Sequence, residues 1–311
     1  MSVTDHGIST IDTGFFRPNF DAAYLLVEQG RAAFIDCGLN SSVPRLLQAL
    51  AEQGLDVSAV DWLILTHIHL DHAGGAGELL AALPNARLVV HPRGQRHMID
   101  PTALVAGATA VYGAEEVRRT YGELRPIPAE LIDVANDGHV VDLAGRPLLC
   151  LDSPGHARHH IVIYDERSRS FFSGDSFGLS YRELDGPNGI YILPTTTPVQ
   201  FEPEALKATI QRMLSYDPQQ ICLTHYGPVS APDRLAEALL TQIDAMVAIA
   251  RQHVDDADRH HRICADLAAL YVSRAGATGH RLSDDQVREL LAMDIELNAQ
   301  GLGVWLDRGQ P

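Results

Sequence analysis

The decapeptide Thr66-His67-Ile68-His69-Leu70-Asp71-His72-Ala73-Gly74-Gly75 places three imidazoles and a carboxylate within six positions, directly behind an apolar run at residues 62–65. Side chains of an extended segment alternate with period two, so His67 and His69 point to one side and can bind a common cation. Asp71 and His72 follow in a turn and aim elsewhere, which suits a second cation beside the first. The two glycines let the backbone turn tightly into the next helix. Four donors leave two cations short of ligands, so the centre must recruit others from further along the chain.

Three later segments offer them. His156 follows an apolar run at 148–151 in Ser153-Pro154-Gly155-His156, and Asp175 follows Phe171-Phe172 in Ser173-Gly174-Asp175. His225 follows 221–223 in Thr224-His225-Tyr226-Gly227-Pro228. Taken singly, a strand-end histidine or a Gly-Asp turn is more often structural. In order after the first cluster, each just past an apolar strand, they form a set.

The surrounding pattern is an α/β alternation. Apolar runs at 23–28 and 32–36 flank Gln29-Gly30-Arg31, a predicted hairpin ending in Asp36-Cys37-Gly38. Val43, Leu46, Leu47 and Leu50 lie at helical spacing, 78–83 reads as a short helix, and 87–91 reads as a strand between Pro84 and Pro92. Residues 93–130 interrupt this rhythm as an Ala- and Gly-rich insertion, with two helices expected at 102–111 and 114–121. Strands are expected at 140–143, 147–152, 160–164 and 170–172. Beyond residue 230, Leu235, Leu239, Ile243, Met246 and Val247 form a helical stripe, and Ser283 with Gln286 forms a capping box. The predicted organisation is a catalytic domain at 1–230 and a helical C-terminal extension at 231–311.

With 46% hydrophobic and 21% charged residues, the 311-residue chain has an ordinary globular composition and enough length for a large core. Its 24 basic against 40 acidic residues give a net charge of -16, which argues against a surface tracking nucleic-acid phosphates. No apolar run approaches ~20 residues, and residues 1–10 lack a signal-peptide pattern. Cys37, Cys150, Cys222 and Cys264 lie far apart and read as reduced thiols. A cytoplasmic protein with no nucleic-acid and no membrane partner is expected.

Over roughly residues 7–230 these motifs resemble the metallo-β-lactamase superfamily, most closely its glyoxalase II-like and lactonase-like hydrolases. The resemblance implies an α/β fold, a four-layer αββα sandwich with its metal site on the edge between two sheets, here with a C-terminal helical appendage. It implies that His67, His69 and His156 hold one ion, that Asp71, His72 and His225 hold a second, and that Asp175 bridges them. The cofactors it implies are two divalent ions, Zn2+ first and iron second. In such a hydrolase a metal-bridging hydroxide attacks the carbonyl of a small thioester, lactone or ester. Asp71 is then also the catalytic residue, orienting the water or moving its proton. More loosely, the tail and the 93–130 insertion resemble those of the superfamily's quinolone-signal response thioesterase. Acyl-homoserine lactonases of the superfamily carry a tyrosine three residues after the bridging aspartate, where this chain has Gly178. Two alternatives stand beside hydrolysis: a diiron oxygen-binding or oxygen-reducing protein of the flavodiiron type, whose members have a glutamate at the position of His69, and a non-catalytic signal-binding protein.

Other residues are candidates on composition and position. Aromatics flanked by glycines over 176–201 suggest a pocket wall, making Phe177 and Tyr181, together with Tyr226, the expected contacts of a small-molecule acyl substrate. His159 and His160 are placed to orient ligating imidazoles or to pack. His91 and His97 are weaker candidates, and His260-His261 read as solvent-facing or packing residues. The apolar residues of the tail, notably Leu290-Leu291 and 302–306, exceed one buried stripe, which leaves them to cap the pocket or to form a homodimer interface.

Overall fold

Strands that are apolar at successive positions must be covered on both faces, and this requirement shapes the first part of the molecule. The computed structural model describes residues 6–196 and 199–309. Its contacts divide the chain into two compact units. The first runs to Asp152 and takes in His159–Gly174 and Thr224–Pro228; the second comprises Ser153–Arg158, Asp175–Leu223 and the chain from Val229 onward. The units interleave along the chain, so no single cut near residue 230 separates them.

In the first unit the order is β1 (Ile8–Asp12), β2 (Ala22–Glu28), β3 (Arg31–Ile35), α1 (Val43–Glu52), β4 (Val60–Ile64), α2 (Leu70–Ala73), α3 (Ala76–Ala82) and β5 (Arg87–Val90). There follow α4 (Pro92–Ile99), α5 (Thr102–Tyr112), α6 (Ala114–Tyr121), β6 (Ile132–Val134), β7 (His139–Leu143), β8 (Arg146–Asp152), β9 (Ile161–Asp165) and β10 (Ser170–Gly174). Strands β1 to β6 form one sheet in sequence order, antiparallel from β1 to β3 and parallel from β3 to β6. Strands β7 to β10 form an antiparallel meander in a second sheet. Ala23, Leu25, Phe34, Leu63 and Leu88 share a buried cluster with Leu46 and Leu50 of α1 and Leu79 of α3. The alternate residues Tyr24, Leu26, Ile35 and Ile64 are equally buried, with Tyr24 packed edge-on against Phe172 of β10 at 5.1 Å between centroids. One face of the first sheet thus carries helices and the other meets the second sheet.

The insertion holds three helices where the sequence predicts two. Residues 92–99 carry no predicted element because Pro92 reads only as a strand boundary. In the structure Pro92 opens α4, and the His91 side chain accepts from the Arg93 N–H. Proline is well tolerated at the first helical position because its missing donor would have no partner there.

The second unit contains α7 (Pro203–Leu214), β11 (Gln220–Leu223), α8 (Pro232–Gln252), α9 (Arg259–Gly276), α10 (Asp284–Leu290) and α11 (Ala292–Asp307). The α8 stripe buries Leu235, Leu239, Ile243 and Met246, and the reciprocal Ser283–Gln286 bonds cap α10. Leu291, Leu302, Trp305 and Leu306 are buried within this one chain. Among the described residues, no helix is long and apolar enough to cross a membrane.

A buried ion pair braces the second sheet. Arg146 Nε and Nη2 donate to the two oxygens of Asp165, with side-chain exposures of 2% and 0%. Burial works to raise the Asp165 carboxyl, but the bonds from Arg146 and Ser168 outweigh it and hold it below the usual carboxylate range. The stabilisation from this group is present above the unfolded-state pKa of ~3.9 and is lost as pH falls through the lowered native value. Replacing Arg146 with methionine strands a buried carboxylate and is expected to cost about 3–5 kcal/mol in urea unfolding. The paired substitution R146M/D165L recovers most of that loss. An R146M midpoint equal to the parent's would show that water compensates Asp165.

Candidate metal centre

Strand β4 ends at Ile64, and the chain enters the centre through Thr66 and His67 before α2 begins. His69 stands at the N-cap of α2 in extended conformation, so His67 and His69 retain strand-like alternation while Asp71 and His72 belong to the helical turn. His67 Nε2 lies 2.8 Å from His69 Nδ1, and the His67 and His72 rings are 4.0 Å apart. Gly75 makes the tight return possible: its N–H donates to Gly38 O at 2.8 Å, and a Cβ there would sit 2.5 Å from the Leu39 carbonyl oxygen.

His225 reaches this cluster by backbone pairing. Ala22 N donates to Thr224 O at 2.7 Å, Asp21 and His225 form an antiparallel bridge, and Tyr226 N donates to Phe20 O. Donor atoms of Asp71, His72 and His225 lie within 4.8 Å of one another. Asp71 Oδ2 is 3.8 Å from His72 Nε2 and 3.6 Å from His225 Nε2. Five of the seven expected ligands are therefore contiguous in the first unit. The other two belong to the second unit, where His156 Nε2 stands 3.5 Å from Asp175 Oδ2.

What aims these imidazoles is a residue that the sequence presents only as a loop position. Asp36, buried and with φ +55, follows β3. Its Oδ1 accepts from Thr66 N at 2.8 Å, and its Oδ2 accepts from Thr66 Oγ1 at 2.8 Å, His72 Nδ1 at 2.9 Å and Thr224 Oγ1 at 3.2 Å. An ionised carboxylate only accepts, so His72 carries its proton on Nδ1 and turns Nε2 toward Asp71. The repeated Thr-His pair, 66–67 and 224–225, is the signal that could have found it. His160 stacks on His67 at 4.6 Å and His159 lies edge-on to His69 at 5.3 Å, so both stand beside candidate ligand rings. His91 instead pairs with Asp152, and His97 bonds to its neighbour Arg96.

The donors fit divalent cations on chemical grounds. Imidazole and carboxylate are the ligands such ions take, and acceptors behind the rings fix their orientation. Asp21 adds a further sign. It is wholly buried beside His225, its Oδ2 accepts from Thr13, and its Oδ1 has no hydrogen-bond partner among the described residues. Burial pushes this carboxyl up to about 7 against the pull of His225 and His72. A carboxyl buried so incompletely bonded is costly unless positive charge lies close by.

The expected aromatic wall is different from prediction. Phe177 is fully buried and Tyr181 nearly so, its hydroxyl donating to Asp294, and both pack inside the second unit. Gly178, at φ +71, admits no side chain: a Cβ would lie 2.3 Å from Leu193 O. The aromatics beside His225 come from residues 15–20. Phe20 packs against the His225 ring at 5.2 Å and against Tyr226 at 5.4 Å, while Phe16 is 68% exposed at φ +58. Tyr226 is buried, and its hydroxyl accepts from Arg17 at 2.6 Å.

Residues 17–225 match the family model "Metallo-beta-lactamase superfamily". The metallo-beta-lactamase fold-containing protein ST1585 of Sulfurisphaera tokodaii is 27% identical over 218 residues, 68% of this chain and 75% of that protein. A hydroxyacylglutathione hydrolase of a Synechococcus species is 31% identical over 145 residues, 47% of this chain and 43% of that enzyme. The chain thus spans less than half the length of that relative. Among solved structures, the metallo-beta-lactamase family protein TTHA1429 of Thermus thermophilus shares the fold with a TM-score of 0.66 at 21% identity, covering 92% of this chain and 93% of that one.

Replacing Asp36 with alanine frees the His72 ring and removes the acceptor shared by two threonines. Metal affinity, measured by chelator competition on the purified protein, is expected to fall about 10–100-fold. Unchanged affinity would show that His72 is held without Asp36.

Proposed function

The chain belongs to the metallo-beta-lactamase superfamily, and we propose that it is a dinuclear metal-dependent hydrolase of small thioesters, lactones or esters, with thioesters foremost. The observation that carries this reading is the contiguous set His67, His69, Asp71, His72 and His225, with the His67 and His72 rings 4.0 Å apart. Two donor groups so close suit neighbouring ions. In the proposed assignment His67, His69 and His156 would hold one ion and Asp71, His72 and His225 the other, with Asp175 as the seventh ligand. Zinc is the favoured metal, since the set is rich in imidazole and has no thiolate, although imidazole also binds iron.

When bound, the ions supply a water acidic enough to act as nucleophile near neutral pH and polarise the carbonyl under attack. The protein's side chains do the rest. Asp36 and Thr66 hold the imidazoles in one tautomer and orientation, so little reorganisation is needed during reaction. Asp71, with 24% of its side chain exposed, is the carboxylate placed to orient water or accept its proton. Phe16, exposed and packed on the buried Phe20 that touches His225, presents apolar surface that suits an acyl chain. Tyr226, fixed by Arg17, is the remaining candidate for substrate contact. Support for thioesters comes from the hydroxyacylglutathione hydrolase relative. The closed space around Gly178 leaves no room for the tyrosine that acyl-homoserine lactonases carry there.

A panel of thioesters, lactones and aryl esters, assayed with and without chelator alongside metal analysis, tests the proposal. Hydrolysis of at least one class, abolished by chelator and restored by zinc, is expected. Protein that carries iron, consumes oxygen and cleaves nothing in the panel overturns it. Exchanging His72 for alanine should reduce kcat/KM at least about 100-fold and lower bound metal together. Exchanging Phe16 for alanine should raise KM for long-chain more than short-chain acyl substrates, without loss of metal.

A further inference from the structure

A second set of donors lies in the tail, away from any residue assigned above. His260 and Cys264 are four positions apart on α9, hence one turn above another on the same face. Glu296 faces them from α11. His260 Nε2 is 3.1 Å from Glu296 Oε2, Cys264 Sγ is 3.6 Å from His260 Nε2, and Cys264 Sγ is 3.8 Å from the same Glu296 oxygen. A tetrahedral zinc ion, with bonds of ~2.3 Å to sulfur and ~2.1 Å to nitrogen and oxygen, keeps its donors about 3.3–3.6 Å apart. The three separations bracket that spacing. The other Glu296 oxygen accepts from Gln300 at 2.7 Å, an outer contact that fixes the carboxylate's orientation.

We propose that His260, Cys264 and Glu296 form a zinc site that clips α9 to α11, with its fourth position open to solvent. Sulfur, imidazole and carboxylate together select a thiophilic ion such as zinc over magnesium or calcium, which prefer all-oxygen sites. His260 and Glu296 are half exposed, so an ion reaches the site without local unfolding. A nucleophilic or redox thiol is the rival reading. Only a metal-bound thiolate gives a charge-transfer band with cobalt, which separates the two. The main centre contains no cysteine among its proposed ligands, so thiolate coordination is a signature belonging to the tail alone.

Cobalt titration of the reduced 311-residue protein reads that signature directly. Thiolate-to-cobalt charge-transfer absorption should appear, level off at the intensity of one thiolate-bound cobalt per chain, and vanish in Cys264→Ser. Glu296→Gln should weaken cobalt binding at least about tenfold while preserving the band at saturation. In the same preparations zinc should raise Tm in the parent more than in Cys264→Ser. Absence of a thiolate band in the parent overturns the proposal, and so does a band that survives Cys264→Ser.

Discussion

One buried carboxylate organises the centre. Asp36 accepts hydrogen bonds from the backbone and hydroxyl of Thr66, from the Thr224 hydroxyl and from the His72 ring, so it ties the ends of three chain segments to one point. Removing an acceptor from buried donors is costly, because an unmet buried polar group costs about 1–3 kcal/mol. Asp36 follows β3 and Thr66 follows β4, two parallel neighbours whose carboxyl ends open on the same side of the sheet. That side is where open α/β sheets place their ligand sites, because loops leaving the strands diverge there. The position of the centre is thus a consequence of strand direction, and its fine geometry a consequence of Asp36.

The demands on the two units differ. The first provides an inner sheet covered on both faces, a stiff support from which short loops present imidazoles. In the second unit His156 and Asp175 lie on loops whose conformation depends on its helices: a Cβ on Gly155, just before His156, would collide with the backbone of Leu206 in α7. Its tail also carries donors unrelated to those loops. Residues 15–20 carry apolar side chains beside His225: Phe20 packs on the His225 ring, and Phe16 contacts Phe20 in a left-handed conformation while staying exposed.

Much of the fold was legible in the chain. The hairpin of β2 and β3, the apolar runs of β4 and β5, the meander and the capping box all appear close to where periodicity and turn residues put them. Misses share a cause. Residues 92–99 form a helix because His91 and Pro92 make a good N-terminus, yet the same proline reads equally well as the end of a strand. Phe177 and Tyr181 look like a pocket wall because aromatics among glycines serve loops and cores alike, and only packing distinguishes them. The interleaving of the units is invisible to any linear reading, since composition changes little where the chain passes from one to the other.

The amino-acid order alone shows a dense set of donor groups: His67, His69, Asp71 and His72 crowd into six positions around a strand-to-helix turn. The roles of Asp36, Thr224 and Asp21 were decided by tertiary structure alone. These residues act through bonds to groups up to 188 positions away, and an isolated aspartate or threonine carries no local mark of such a partner. The tail donors show the same division. His260 and Cys264 are legible as one helix face, whereas Glu296 joins them only because α11 packs against α9.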